Sequence, residues 1–256
     1  MSTLDQAAPV TPLTATDLSL ADLRPALAAG WRDFLAMPQY GAFFGGVYVL
    51  AGLTFGYFAV VGGELSWLIP AIAGFPLVAP FVAVGLYEAS RLRETGEPRT
   101  WGKVLGALRG HDDDQILSMG VIVFVAFGFW TIVAHAVVAI FMNEAGAGSE
   151  SLAFLTTETG LTMLGVGSAI GSVMAFGFYA MTVISLPLLV DRQASFLTAI
   201  IASFAVVRDN LFVMVVWAFI IAVLLFIAML PAFLGLLVAL PVLGHATWHL
   251  YRRAVH

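Results

Sequence analysis

Long apolar stretches alternate with short polar segments along most of this chain. Each stretch is close to the length of about 20 residues that a helix needs to cross the hydrocarbon core of a bilayer. Pro231 separates the last two stretches, because proline removes a backbone donor and interrupts a helix. We therefore predict an all-α, polytopic membrane protein with six transmembrane helices. The predicted spans are residues 40–61, 66–87, 116–142, 161–190, 211–230 and 232–248.

The basic residues predict how these spans are oriented. All 11 lysine and arginine residues precede the first span or follow the second, fourth or sixth span, and so lie on one side of the membrane. Cytoplasmic loops retain lysine and arginine, so both termini are predicted to be cytoplasmic. Tyrosine and tryptophan concentrate at membrane surfaces. Tyr40, Tyr87, Trp248 and Tyr251 are accordingly expected at the cytoplasmic surface.

Apolar residues at helical spacing also occur in the cytoplasmic segments, outside the predicted spans. In the first of these segments, Arg24, Arg32 and Asp33 are predicted on the polar side, away from the apolar stripe. Amphipathic helices of this kind lie flat among lipid headgroups. We therefore predict three short interfacial helices, and Ser195 is the expected N-cap of the third. Their apolar stripes are Leu23, Leu27, Trp31, Phe34 and Leu35; Trp101, Val104, Leu105 and Leu108; and Phe196, Ile200, Phe204 and Val207.

The order of these elements predicts an internal repeat. An interfacial helix followed by two spans occurs three times, and membrane proteins often contain such duplications. Glu88 follows Pro80 at the same offset as His249 follows Pro241, which supports the repeat. We predict a mostly disordered cytoplasmic tail over residues 1–22 and one transmembrane domain over residues 23–253.

Composition supports lipid as the solvent for the apolar stretches. Hydrophobic residues make up 61% of the chain and charged residues 11%, against about 45–50% and 25% in soluble domains. The net charge of -5 and the lack of a long basic run argue against binding to nucleic acid. The chain contains no cysteine, which excludes disulfides and cysteine-ligated metals.

Three segments resemble a known family. They are Gly85–Arg91, Ser185–Arg192 and Leu240–His249, and they are similar to the bacterial family called domain of unknown function 2189. The resemblance extends from about Leu23 to Arg253. It implies a six-span protein of the bacterial inner (plasma) membrane, and it implies no particular activity.

His245 and His249 are the main candidates for a binding site. Residues four apart lie on one face of a helix, so these two imidazoles could share a divalent metal or a haem iron. Glu88 and Asp191 end comparable spans and could complete the ligand set. Alternatively, the histidines bond to water, headgroups or neighbouring helix ends, while Glu88 and Asp191 form surface ion pairs with Arg91 and Arg192. His135 is a separate intramembrane polar residue, in the outer half of the third span.

Three functions remain open at this point. No recognisable catalytic motif is present, and the polar segments are short. The leading hypothesis is therefore a non-enzymatic accessory, assembly or interaction protein without a cofactor, whose partners are membrane lipids and either another inner-membrane complex or a second copy. A small transporter or channel is the first alternative, and a haem- or metal-binding membrane protein is the second. The transporter hypothesis predicts one cavity lined by Thr131, His135, Ser168, Ser172 and Thr182.

Overall fold

The computed structural model is all-helical and describes residues 17–62, 83–109, 115–145 and 152–255. Most of the predicted second span and tail therefore lies outside the described residues. The helices are α1 (Leu20–Ala36), α2 (Pro38–Gly62), α3 (Val84–Glu94), α4 (Trp101–Gly106), α5 (Gln115–Ala145), α6 (Glu158–Thr182), α7 (Ser185–Asp191), α8 (Phe196–Asp209), α9 (Leu211–Met229) and α10 (Leu236–Ala254). Short 3-10 helices at Ala107–Arg109 and Leu152–Thr156 follow α4 and precede α6.

Among the described residues, four helical segments are long and apolar enough to cross a membrane. They are Pro38–Phe58, Gln115–Asn143, Glu158–Asp191 and Leu211–Met229. They correspond to the predicted first, third, fourth and fifth spans, and their presence confirms an all-helical protein with several membrane helices. The arrangement of six spans stays a prediction.

The fourth predicted span is interrupted near its C-terminal end. It consists of α6 and α7, joined by a turn at Val183 and Ile184. Pro187 has no amide proton for the Val183 carbonyl, which explains a break at this place. Ser203 of α8 is buried beside the turn. Its Oγ donates to the Ala180 carbonyl at 2.6 Å and accepts from the Ile184 amide at 3.2 Å.

The last helix differs in its bounds from the predicted span 232–248. Residues 230–235 form a turn after α9, and α10 begins at Leu236 and continues to Ala254. Ala232 and Phe233 have φ angles of 49° and 63°, in the left-handed region. Pro231 therefore does mark a break, as predicted, but the chain needs a longer turn before it enters α10.

α1 is a helix as predicted, but it buries a different face. The buried residues are Leu23, Ala26, Gly30 and Asp33, whereas Trp31 and Leu35 are 44% and 58% exposed. The prediction that Asp33 lies on the exposed polar side was wrong, because α1 packs closely against α10. A Cβ atom on Gly30 would lie 2.5 Å from the carbonyl oxygen of Val242, in α10.

The other two predicted interfacial segments are also helical, as α4 and α8. Ser195 caps α8, as predicted, because its Oγ accepts from the Thr198 amide at 3.2 Å. Part of each predicted stripe points outward: Trp101 and Phe204 are exposed, whereas Val104 and Val207 are buried. These helices therefore pack through one edge of the stripe and leave the other edge uncovered.

α10 lies at the centre of the helices that position the candidate site. It packs against α1, α2, α3 and α9. Gly41 and Gly45 of α2 allow the close approach, since a Cβ at Gly45 would lie 2.9 Å from the Leu237 Cα. Gly171 of α6 lies in the same way against the Trp130 ring of α5. The small residues at these positions thus serve packing within the chain.

Candidate functional site

A polar cluster lies where α1, α3 and α10 meet, at the end of the bundle that is predicted to be cytoplasmic. It consists of Asp33 from α1, Ser90 and Arg93 from α3, and His245 and His249 from α10; we call it the Asp33 cluster. The close contact between α1 and α10 at Gly30 brings Asp33 to the histidines. The sequence pattern predicted the two histidines but not the residues that form hydrogen bonds with them.

Asp33 is the acceptor that holds this cluster together. Its Oδ2 accepts from the Ser90 Oγ at 2.6 Å and lies 2.9 Å from the His249 Nε2. Its Oδ1 pairs with the Arg93 guanidinium. The side chain is 5% exposed, so these donors replace the water that a carboxylate needs.

These donors keep Asp33 ionised. Burial by itself would raise the pKa of Asp33. Hydrogen bonds from His249 and Ser90, together with the positive charge that the histidines can carry, outweigh burial and lower this pKa from 3.8 to about 2. Asp33 is therefore an anion throughout the physiological pH range.

The hydrogen bonds also determine the tautomer of His245. Ser90 has one hydroxyl proton, which it donates to Asp33, so its oxygen must accept from the other neighbour. The His245 Nδ1 lies 2.7 Å from this oxygen and is therefore the donor. The cluster forms a directed chain, from the fully buried His245 through Ser90 to Asp33.

Glu88 and Asp191 do not join the histidines. Both Glu88 oxygens contact Arg91, at 2.7 and 2.9 Å, and Asp191 lies 3.5 Å from the Arg192 Nε. Both predicted ion pairs form, but Glu88 is buried and not at the surface as predicted. Asp191 additionally accepts from the Tyr251 hydroxyl at 2.7 Å. Within the described residues, no group of three or more His, Asp or Glu side chains is placed to hold a metal ion, and the metal and haem hypotheses stay predictions.

Two of the residues proposed to line a transport cavity bond within their own helices, and the transporter hypothesis stays a prediction. The Thr131 and Thr182 hydroxyls bond to carbonyls of their own helices, at 3.0 and 2.8 Å. Ser168 and Ser172 lie on an exposed side of α6. His135 is half-buried on α5, a helix that contributes no residue to the Asp33 cluster.

The aromatic residues predicted at the membrane surface are buried, and they link helices at the end of the bundle that carries the Asp33 cluster. Trp248 Nε1 donates to Glu94 at 3.1 Å, and the Tyr40 hydroxyl donates to the Arg99 carbonyl at 2.8 Å. Tyr87 is also buried. Together with the Tyr251 contact to Asp191, these bonds link α10 and α2 to the segments that follow the second and fourth predicted spans.

An open pocket of about 420 Å³ lies beside the Asp33 cluster. This volume is in the range of small-molecule sites, roughly 300–1,000 Å³. Its lining combines parts of α1, α3 and α10: Ala29, Arg32, Asp33, Ser90, Arg93, Glu94 and His249. The pocket therefore gives the cluster access to the surroundings, through His249 and Arg93, whose side chains are 28% and 36% exposed.

A family model described as "Predicted integral membrane protein (DUF2189)" matches part of the sequence. The chain matches DUF2189 over residues 68–191. The resemblance to this family is thereby confirmed over these residues, which do not include the Leu240–His249 segment, and so is the class of integral membrane protein. No curated protein and no solved structure matches the chain.

The DUF2189 match covers one part of the polar site. It includes α3, with Ser90 and Arg93, whereas Asp33 and both histidines lie outside it. A sequence signal for Asp33 did exist. Ala26, Gly30 and Asp33 recur at helical spacing, and small residues at such spacing indicate a closely packed face. Ser90 carries no comparable signal, because serine is common at helix ends.

Proposed function

We propose that this integral membrane protein acts through contacts between helices, as a non-enzymatic accessory or assembly partner of another membrane protein complex. The supporting observation is an uncovered face on α6. Leu161, Gly165, Ser168 and Ser172 lie along this face, and all four are exposed among the described residues. A Cβ on Gly165 would meet no neighbouring atom within 4 Å.

The opposite face of α6 is already used within the chain. Met163 and Gly171 are buried there, and Gly171 packs on Trp130 of α5. A helix that places small residues outward as well as inward offers a second surface for close packing, since small residues let helices approach each other in lipid. The neighbouring Val173 is 76% exposed and extends this surface with an apolar side chain.

Site-directed cross-linking tests the proposal. The native chain has no cysteine, so Ser168→Cys introduces a single reactive site on the uncovered face. Val125→Cys is the matched control, because Val125 is 64% exposed on α5. We expect a membrane-permeant cross-linker to join Ser168→Cys to a second, different membrane protein, with Val125→Cys giving no such product. Products confined to the chain itself, or identical for both positions, would contradict an accessory role.

The finer arrangement in the membrane belongs to the same proposal. We place six spans, three interfacial helices, a threefold repeat and two cytoplasmic termini in a bacterial inner membrane. The described helices support the repeat by their order, because a short helix precedes a long one at α1 and α2, at α4 and α5, and at α8 and α9. The basic side chains near α3 and the end of α10 support the cytoplasmic location of the Asp33 cluster.

A further inference from the structure

Every carboxylate oxygen in the lining of the pocket accepts at least one hydrogen bond, whereas several N–H donors of the lining remain available. Asp33 accepts from Ser90, His249 and Arg93 with its two oxygens. Both oxygens of Glu94, the other carboxylate of the lining, also accept hydrogen bonds. Oε2 accepts from Trp248 Nε1 and Oε1 accepts from Arg252 Nε, each at 3.1 Å.

Several N–H donors in the lining of the pocket remain available to a ligand. Arg32 is exposed, and within the described part of the chain it has no hydrogen-bond or ion-pair partner. Arg93 uses its NH1 group on Asp33 and has four further N–H donors. His249 uses its Nε2–H on Asp33, so it adds no free donor to the lining. A ligand entering this pocket thus meets N–H groups in excess over acceptors.

The charges of the lining also favour an anionic ligand. Asp33 pairs with Arg93, and Glu94 shares Arg252 with Asp191. Of the charged groups that line the pocket, only the guanidinium of Arg32 has no ion-pair partner among the described residues. A planar guanidinium with a free fork of donors matches the geometry of phosphate or carboxylate oxygens, and arginine is used widely for phosphate recognition for this reason.

The residues beside Arg32 are of the kind expected at the level of lipid headgroups. Trp31 and Leu35 flank it on α1 and are 44% and 58% exposed. An exposed tryptophan beside an arginine on an amphipathic helix is typical of the membrane surface, where the ring contacts acyl chains and the guanidinium contacts phosphates. Asp33, Ser90, Arg93 and His249 of the Asp33 cluster line the same pocket as Arg32.

We infer that this pocket binds a phosphate group, with Arg32 as the main ligand and with Arg93 held toward it by Asp33. The phosphate can come from two sources that share this chemistry: the headgroup of a phospholipid or a soluble phosphate. Asp33 is a positioning residue in this assignment, since its carboxylate orients the Arg93 guanidinium and does not contact the anion. The assignment does not depend on the proposed accessory function.

Binding measurements on the full-length protein in maltoside detergent test this inference. The probes are dioctanoyl phosphatidic acid and inorganic phosphate, with dioctanoylglycerol as a lipid that lacks phosphate. Arg32→Gln removes the proposed main ligand. Arg24→Gln is the matched control, because Arg24 is exposed on the same helix and does not line the pocket. Both variants are expected to fold, since neither arginine has a partner among the described residues.

We expect at least one phosphate probe to bind, and Arg32→Gln to weaken it by roughly tenfold or more, as removal of a charge-assisted hydrogen bond does. Arg24→Gln should leave affinity nearly unchanged. Binding of phosphatidic acid without competition from inorganic phosphate supports a lipid headgroup as the ligand. Binding of inorganic phosphate with equal affinity supports a soluble one.

Three results would overturn the inference. Neither phosphate probe binds above the detergent background, or dioctanoylglycerol binds as tightly as phosphatidic acid, or both arginine variants lose affinity equally. The last result would indicate general attraction between a basic helix and an anionic amphiphile. A failed cross-linking experiment on α6 would not affect these outcomes, so the two proposals can be rejected separately.

Discussion

The Nε2 of His249 lies 2.9 Å from the Oδ2 of Asp33, although the two residues are 216 positions apart in the chain. This contact joins the first described helix to the last one. It also holds one wall of the pocket in place, because Asp33 simultaneously binds Ser90 and Arg93 of α3. The stability of this end of the bundle is therefore expected to depend on one buried carboxylate.

Replacing Asp33 by Asn should destabilise the protein. The change leaves Arg93 and His249 without their anion, and loss of one partner from a buried ion pair costs several kcal/mol. Since Arg93 is 36% exposed, we expect a smaller loss, about 2 kcal/mol. Reversible unfolding in mixed micelles measures it. Asp209→Asn, in a surface pair with Arg208, is the control, and an equal loss there would contradict the special role of Asp33.

The contribution of Asp33 should also depend on pH. Its pKa is lowered in the folded state, from 3.8 to about 2, so folding favours the anion. At about 1.4 kcal/mol for each pKa unit, this difference is worth roughly 2 kcal/mol. The stability difference between the native protein and Asp33→Asn should be fully present above about pH 5. It should shrink as the pH falls from about 4 toward 2, and a difference that stays constant down to pH 2 would refute the linkage.

Replacing Ser90 by Ala should leave a buried donor without an acceptor. The His245 Nδ1 lies 2.7 Å from the Ser90 Oγ, and an unsatisfied buried group costs about 1–3 kcal/mol. We expect a loss of stability in this range. Ser168→Ala, on the exposed face of α6, should change stability by less than about 0.5 kcal/mol. Equal effects of the two variants would mean that Ser90 does not bridge Asp33 and His245.

Two glycine substitutions should have opposite consequences. A Cβ on Gly30 would lie 2.5 Å from the Val242 carbonyl oxygen and 2.6 Å from the Ala246 amide nitrogen, and backbone atoms cannot move aside easily. We expect Gly30→Ala to cost about 2 kcal/mol or more, since overpacking forces helices apart. A Cβ on Gly46 meets nothing within 4 Å. Gly46→Ala should be neutral or stabilise by up to about 1 kcal/mol, and similar losses for both would argue against the close contact of α1 with α10.

Labelling of single cysteines tests the proposed orientation. Gln193 and Thr156 are both exposed, and they lie in connections predicted on opposite sides of the membrane. In bacterial cells with a permeabilised outer membrane, a membrane-impermeant maleimide should label Thr156→Cys. Gln193→Cys should react only after the inner membrane is opened. The reverse pattern would place the Asp33 cluster and the pocket on the outer side.

Several helices could be predicted from the sequence because their signals are local. The predicted spans 40–61, 116–142 and 211–230 agree closely with α2, α5 and α9, since apolar length alone defines a membrane helix. The cap at Ser195 and the ion pair of Glu88 with Arg91 involve residues within one helical turn. The break inside the fourth predicted span was missed, because Pro187 terminates a helix only where another group, here Ser203, satisfies the freed backbone.

The candidate site was only half predictable. The spacing of His245 and His249 indicates one helix face whatever the fold is. Glu88 and Asp191 were proposed as their partners because they end comparable spans, yet the tertiary structure brings Asp33 and Ser90 to the histidines instead. Asp33 was assigned to the polar face of α1 because a hydrophobicity pattern ranks a carboxylate as exposed. Such a pattern contains no information on whether a neighbouring helix supplies enough hydrogen-bond donors for a carboxylate to be buried.

The sequence by itself determined that the long helices lie in lipid and predicted the side on which the arginines remain, because both follow from the cost of moving side chains between water and hydrocarbon. Only the tertiary structure decided which face of α1 meets α10, and with it the partners of the histidines and the shape of the pocket. That choice depends on the fit of Gly30 against the backbone of α10. Close packing of this kind brings together residues more than 200 positions apart, and a local sequence pattern does not predict it.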